Sequence, residues 1–314
     1  MEPLFLKPLF MYRIWGGTAL RDKFNYEIPS ENTGECWAIS SHENGDCEIT
    51  SGKFKGMTLS NLWSNHKELF GNMPGDKFPL LTKILDANDN LSVQVHPDNE
   101  YAKKNENGEL GKTECWYIID CDDDAEMIFG HNAKSKEELE YMISNNKWSD
   151  LLKRVKVNKG DFFYVPSGTI HALCKGTLVL ETQQNSDTTY RVYDYDRVDS
   201  NGNTRELHVD KSIAVTTVPH VENKPDYNII ENDNFKLTTF LSNEFFSIHK
   251  LDVFTEYSLT QDKPFELYSV INGSGKLVSN THEYSLNKGD NFILPNNFGE
   301  FKLIGNLQLI ISHM

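Results

Sequence analysis

One segment constrains this chain more than any other: Gly160-Asp161-Phe162-Phe163-Tyr164-Val165-Pro166-Ser167-Gly168-Thr169-Ile170-His171. An apolar run bounded by Gly-Asp on one side and Pro-Ser-Gly on the other reads as a strand held between two tight turns. A near-copy of its first part lies far downstream. Val157-Asn158-Lys159-Gly160-Asp161-Phe162-Phe163-Tyr164-Val165-Pro166 returns as Leu286-Asn287-Lys288-Gly289-Asp290-Asn291-Phe292-Ile293-Leu294-Pro295. The position five beyond Pro166 is His171, whereas five beyond Pro295 stands Glu300, and Asn297 replaces Gly168. The chain is therefore read as one β unit used twice, with a metal-capable side chain in the first copy alone.

Strand signals dominate the rest. Short or alternating apolar runs occur at 36–40, 91–96, 114–120, 125–129, 154–157, 161–165, 177–183 and 190–195. They continue at 236–241, 246–252, 265–272, 276–279, 291–294 and 307–311. Asn201-Gly202 and Asn272-Gly273-Ser274-Gly275 read as turns. Two helices are expected. One spans 58–70 and closes at Gly71; the other spans 135–152 and opens on the capping box Ser135-x-x-Glu138. Many strands and few helices argue for sandwiches or barrels over alternating βαβ units. The polar stretch 223–234, which contains Pro225, reads as a linker. It divides the chain into a first domain at 1–228, with helical elaborations, and a smaller β domain at 229–314.

Charge and cysteine usage exclude several functions. With 31 basic and 46 acidic residues the formal net charge is −15, which disfavours broad contact with nucleic acid or anionic membrane. A small anionic ligand needs only a few local cations. The five cysteines, Cys36, Cys47, Cys115, Cys121 and Cys174, are odd in number and form no Cys-x-x-Cys pair, so reduced thiols in the cytoplasm are expected. No signal segment or membrane-length apolar run is recognised. A calcium loop around Gly202 would put Arg197 and His208 where acids are required, and is set aside.

The candidate chemistry gathers in the first domain. Strand alternation puts Gln94 and His96 on one face of Leu91-Ser92-Val93-Gln94-Val95-His96-Pro97, and Pro97 ends that strand. Glu114 opens the next strong strand, and His171 follows the Pro-Ser-Gly turn. Each alone is ordinary. Together, two imidazoles and a carboxylate suit Zn²⁺ or another first-row divalent ion, with room for an amide oxygen, water or substrate. Downstream, Glu181 and Gln183 share a strand face, as do Arg191 and Tyr193. If that face looks inward, it brings an acid/base group and a cation beside the metal.

Gly-x₅-Pro-x-Gly-x₂-His, matched from Gly160 to His171, resembles the second motif of the cupin superfamily of small β-barrels; the first motif is met only approximately, with Gln94 in place of its first histidine. Further pieces narrow the resemblance: Arg13-Ile14-Trp15-Gly16-Gly17, Gly34-Glu35-Cys36-Trp37, Pro79-Leu80-Leu81-Thr82-Lys83-Ile84-Leu85, Gln94-Val95-His96-Pro97, Gly111-Lys112-Thr113-Glu114, Gly168-Thr169-Ile170-His171-Ala172-Leu173, and residues 183–196. In this order they resemble the type I mannose-6-phosphate isomerases of the short bacterial class. The resemblance implies a mainly β fold of two cupin-like (jelly-roll) barrel domains, the second lacking the metal ligands. It also implies interconversion of mannose 6-phosphate and fructose 6-phosphate, through an enediol-type species, with one zinc ion per chain. Carried over, Gln94, His96, Glu114 and His171 correspond to metal ligands, and Arg191 to a catalytic arginine. Glu181 corresponds to a candidate base, a role open also to a metal-activated water, and Lys83 and Lys112 fall near the substrate. The implied partner is a small sugar phosphate; a monomer and a homodimer are both compatible. Two other readings stay open: a different cupin enzyme such as an iron dioxygenase, and a non-catalytic sugar-binding cupin.

Overall fold

The computed structural model describes residues 1–199, 202–223, 226–279 and 282–314. Ser200, Asn201, Lys224 and Pro225 therefore lie outside the described residues, and with them part of the expected turn and linker. The described chain is mainly β and stacks in layers. A six-stranded antiparallel sheet contains, in spatial order, Phe162–Val165, Glu114–Cys121, Thr177–Gln184, Leu80–Ala87, Thr33–Ile39 and Leu9–Gly17. Facing it is a five-stranded sheet of Leu152–Lys156, Glu126–His131, His171–Leu173, Val93–Val95 and Tyr190–Tyr193.

Side-chain alternation explains how one sheet serves two cores. In Glu114–Cys121, the residues Trp116 and Ile118 turn inward, onto Leu85, Val179, Met127 and Leu173 between the two sheets. Their neighbours Cys115, Tyr117 and Ile119 turn outward, into a core shared with Phe240, Phe265, Ile293 and Ile310 from the C-terminal part. Phe162 stacks on Phe240 across that boundary with ring centroids 4.6 Å apart. Such a pair adds about 0.5–1.5 kcal/mol beyond its area burial. On the far side of the five-stranded sheet, Val93, Val95, Ala172 and Val192 pack under the helix Lys136–Ser144 through Leu139, Met142 and Ile143.

The C-terminal part supplies all but two strands, Leu4–Lys7 and Glu48–Ile49, of a ten-stranded sheet curled over a core of Leu251, Tyr268, Val270, Phe292, Leu303 and Leu309, among others. Among the described residues no sheet closes on itself, so these layers are open sheets and not closed barrels. The curl comes from two strands of 15 residues, Phe265–Ser279 and Gly299–His313, which pair along nearly their whole length. The Asn272-Gly273-Ser274-Gly275 segment, expected to be a turn, instead runs on as regularly paired strand just past a bulge between Val270 and Asn272. Glycine is required there by proximity: a Cβ on Gly273 would lie 2.0 Å from the Asn306 carbonyl oxygen, and one on Gly275 2.3 Å from that of Ile304.

Both expected helices are interrupted. Thr58 caps Leu59–Asn65 by accepting from the Asn61 N–H; the helix breaks at His66 and resumes as the 3₁₀ turn Lys67–Phe70, ended by Gly71 at φ +62°. Ser135 caps Lys136–Ser144 by accepting from Glu138, but left-handed Asn146 separates this helix from Trp148–Leu151. The alternation-based reading misses Leu80–Ala87, which is buried on both faces and so shows no polar period. It also misses Leu4–Lys7, which pairs with Asn291–Pro295 and ties the first residues of the chain to the C-terminal sheet.

Candidate metal centre and active-site cavity

Three side chains converge between the two facing sheets: Glu114 and His171 open their strands, and His96 directly follows Val93–Val95. Nε2 of His171 lies 3.1 Å from Oε1 of Glu114, and Nε2 of His96 lies 3.4 Å from Oε2. The three ligand-capable atoms all fall within 4.8 Å of one another, and all three residues are buried. The backbone sets both imidazoles. His96 Nδ1 is 2.9 Å from the Thr188 carbonyl and His171 Nδ1 is 2.8 Å from that of Thr169. With each Nδ1–H donating to a carbonyl, each Nε2 presents a lone pair inward, as metal-binding histidines require. Neither Glu114 oxygen nor His171 Nε2 makes a well-directed hydrogen bond, although Lys112 Nζ forms an ion pair with Glu114 Oε2. Buried polar atoms left in this way are costly. A divalent cation would satisfy all three, so the residues fit a metal. Gln94 is the Cα partner of both His171 and Arg191, which sets its amide between the cluster and the arginine.

Beside the cluster lies a cavity of about 330 Å³. Lys83, Gln94, Lys112, Glu181 and Arg191 all line it. Cross-strand register explains the grouping, because Trp37, Lys83, Glu181 and Trp116 form one row across the six-stranded sheet. Trp116 Nε1–H donates to Glu181 Oε2 at 2.9 Å, and Lys83 Nζ is 3.7 Å from Oε1. Lys112 Nζ lies 3.1 Å from Glu114 Oε2 and 3.2 Å from His96 Nε2.

These neighbours set the charges. Burial pushes the Glu181 carboxyl up, the nearby Glu114 adds to this, and Lys112 and Lys83 offset it only in part. Burial also opposes ionisation of Glu114, yet the Lys112 ammonium beside it holds the carboxyl well below its ordinary value. Lys112 is held above its ordinary value by Glu114, Glu181 and Asp187 despite its own burial. A carboxyl drawn toward neutrality between two lysines is suited to receiving and returning a proton.

One expectation needs correction. Tyr193 does not share a face with Arg191: a bulge separates them, and Tyr193 stacks on Trp148, 4.5 Å away, on the helix side of the sheet. Gln183 faces inward but is occupied, its Nε2–H₂ donating to the carbonyls of Gln184 and Ser186. Four charged cavity residues were given no role from sequence: Arg13, Glu35, Asp187 and Arg205. Arg13 binds Glu35 through two contacts of 2.8 and 3.1 Å, and Trp37 donates to the same carboxylate at 2.7 Å. Burial resists ionisation of Glu35, but Lys83 and Arg13 overcome it and draw the carboxyl down to about 2. The signal was present, since Arg13 and Glu35 both sit in the quoted family segments. Their partnership depends on strand register. A larger cleft of about 1190 Å³, lined in part by Phe5, Phe10, Tyr26 and Lys288, holds none of the clustered ligands.

Comparisons with known proteins agree with this geometry. Residues 4–119 match the model for "Phosphomannose isomerase type I, catalytic domain", and residues 236–314 that for "Mannose-6-phosphate isomerase, cupin domain". The chain is 57% identical over 313 residues to mannose-6-phosphate isomerase ManA of Bacillus subtilis, covering 100% of this chain and 99% of that protein. It is 51% identical to a mannose-6-phosphate isomerase of Streptococcus mutans, covering 99% and 98%. The crystal structure of a Bacillus subtilis mannose 6-phosphate isomerase superposes with a TM-score of 0.98 at 55% identity, covering 100% of both chains. Two segment models and full-length identity above half make the assignment direct: the chain belongs to the type I mannose-6-phosphate isomerase family.

Proposed function

We propose that this isomerase interconverts mannose 6-phosphate and fructose 6-phosphate with one zinc ion per chain, held by His96, Glu114, His171 and Gln94. The observation that carries the reading is the convergence of the buried His96, Glu114 and His171 ligand atoms, those of Glu114 and His171 without a well-directed hydrogen bond, beside the cavity that holds Glu181. Two imidazole nitrogens and a carboxylate suit zinc. When bound, the ion would polarise the sugar carbonyl and so acidify the neighbouring C–H.

The chain's own residues supply the rest. Glu181 takes the proton from C2 and returns it to C1 of an enediol-type intermediate, its basicity raised by burial. Lys112, kept cationic by Glu114 and Glu181, offsets negative charge developing on the sugar oxygens. Arg191 and Lys83 bring further positive charge to the cavity, where they stabilise that charge and hold the phosphate. Residues 1–228 are read as the catalytic unit and 229–314 as a cupin-like unit without ligands, because every residue assigned a role lies in the first. The five free thiols fit a reducing cytoplasm, and among the described residues no helix is long and apolar enough to cross a membrane.

A coupled assay for fructose 6-phosphate formed from mannose 6-phosphate, run with and without chelator, tests the reading. Turnover abolished by chelator and restored by Zn²⁺ is expected. Turnover indifferent to chelator would remove the metal from the proposal, and no turnover on either sugar phosphate would remove the substrate.

A further inference from the structure

Arg191 is held by a short hairpin whose clasp is a single buried carboxylate. Asp194, three residues beyond Arg191, is 4% exposed and accepts three charged hydrogen bonds. Arg205 supplies two, Nε to Oδ2 at 2.7 Å and Nη2 to Oδ1 at 2.6 Å, in the paired geometry that guanidinium and carboxylate share. Arg197 supplies the third, Nη2 to Oδ1 at 2.7 Å. Just beyond, the Arg197 N–H donates to the Asp194 carbonyl at 3.1 Å across Tyr195 and Asp196, whose φ values are +58° and +53°. Two left-handed central residues are the mark of a type I′ turn, which ordinarily selects Asn-Gly. A bulky tyrosine in that conformation is a strained choice, sustained where surrounding contacts over-determine it.

The hairpin returns to the cavity. Val198 bridges Thr204, and Arg205 lines the cavity opposite Arg13 and Lys83. The next residue, Glu206, offers its carbonyl to Nη1 of Arg191 at 2.8 Å. His208 donates its N–H to the Arg191 carbonyl at 2.8 Å and accepts from the Arg191 N–H through Nδ1 at 3.2 Å. Ser92 Oγ takes the remaining Nε–H of Arg191 at 3.3 Å.

We infer that Asp194 is a positioning residue for the isomerase: by clasping Arg205 it closes the hairpin and holds the Arg191 and Arg205 guanidiniums against the cavity. The inference rests on the sugar-phosphate reading above only for its kinetic consequence. A staple whose sole task was to close a surface loop would have no need to bind a cation of the cavity wall. Asp194 binds Arg205 directly and Arg191 through the adjoining peptide, so its loss should reach the reaction while leaving the metal ligands on their own strands.

Asp194→Asn keeps the shape and removes the charge; Arg205→Lys keeps the charge and removes the two-pronged geometry. Each is expected to lower kcat/KM for mannose 6-phosphate on the order of 10- to 100-fold, the scale of a charged hydrogen bond. Metal content should be unchanged. The double variant should be no worse than about threefold below the Asp194→Asn protein, because that substitution already disrupts the Asp194–Arg205 contact that Arg205→Lys removes. Hydrogen exchange at the His208 amide should quicken about tenfold or more in both variants, independently of any activity. Wild-type kcat/KM in either variant, or single effects that multiply in the double, would overturn the positioning role. Unaltered His208 protection would overturn the clasp even if the wild type proved inactive on mannose 6-phosphate.

Discussion

The two copies of the Gly-Asp-strand-Pro unit are the same object in their backbones and opposite objects in their chemistry. Gly160 and Gly289 have φ of +94° and +96°. Asp161 Oδ2 accepts the Asn158 N–H at 2.7 Å, and Asp290 Oδ2 accepts that of Asn287 at 2.7 Å. Gly160 donates to Ile118 and Gly289 to Val270, each at 2.9 Å. The register that pairs Val165 with Glu114 pairs Leu294 with Glu266, so the second unit keeps a buried carboxylate at the ligand position. Around it everything else has changed. Following the same rows, Tyr268 replaces Trp116, Ile311 replaces Glu181, and His249 replaces Lys83. Glu300, in place of His171, is exposed and pairs with Thr260. Glu266 therefore accepts a neutral Tyr268 hydroxyl at 2.8 Å, and burial drives its carboxyl up, whereas Glu114 is held below its ordinary value by the Lys112 ammonium 3.1 Å away. Turn and strand are what the fold retains. The neighbouring strands decide whether a carboxylate placed there becomes a ligand.

The sharpest test sets these two carboxylates against each other. Glu114→Gln is expected to abolish stoichiometric metal and lower kcat by about a thousandfold or more. Glu266→Gln should leave both near wild type. Metal analysis of the purified proteins with the coupled assay reads both, and a Glu266→Gln protein that lost its metal would break the comparison.

Acid behaviour comes next in size. The folded carboxyl of Glu35 is drawn from 4.5 to about 2, so its stabilisation is fully present above 4.5 and lost as pH falls toward 2. That shift corresponds to about 3 kcal/mol at neutral pH. Glu266 is shifted the other way, so its contribution is lost as pH rises above the ordinary carboxylate range. Denaturant unfolding from pH 7 to pH 2 should show Glu35→Gln destabilised at the neutral end and converging on wild type at the acid end. Glu266→Gln should be relatively stabilised at the neutral end. Parallel curves for the two variants would contradict the assigned electrostatics.

The smallest effect concerns the turn itself. Gly168, at φ +82°, would place a Cβ 2.5 Å from Thr217 Oγ1 and 3.0 Å from the Val215 carbonyl, whereas Asn297 meets the same requirement at φ +57° with an exposed side chain. Gly168→Ala should cost about 1–2 kcal/mol, and Asn297→Gly should stay within about 0.5 kcal/mol of wild type. Equal costs at the two positions in chemical denaturation would show that the second turn is as crowded as the first.

Local chemistry in the sequence accounts for what was readable in advance. His171 is announced by the Pro-Ser-Gly turn before it, and Gln94 with His96 by strict alternation, because turn geometry and strand period act over a few residues. Thr58 and Ser135 mark their helix starts for the same reason. The bulge that turns Tyr193 away from Arg191 is not a local preference; it accompanies the stacking of Tyr193 on Trp148 on the helix side of the sheet. Within the long strand Phe265–Ser279 only the segment 272–275 was misread as a turn, because Gly-Ser-Gly serves close approach as readily as reversal.

What the sequence by itself determined, then, was the repeated β frame, the mainly β class and the identity of the metal-capable residues, since each rests on short-range periodicity or a turn. Only the tertiary structure decided which carboxylate meets which cation. Glu35 with Arg13 and Lys83, Glu181 with Trp116, and Asp194 with Arg205 are joined by register across strands and by hairpin closure. Charge at a buried site depends on distances of a few ångströms between residues far apart in the chain, and no local pattern encodes those distances.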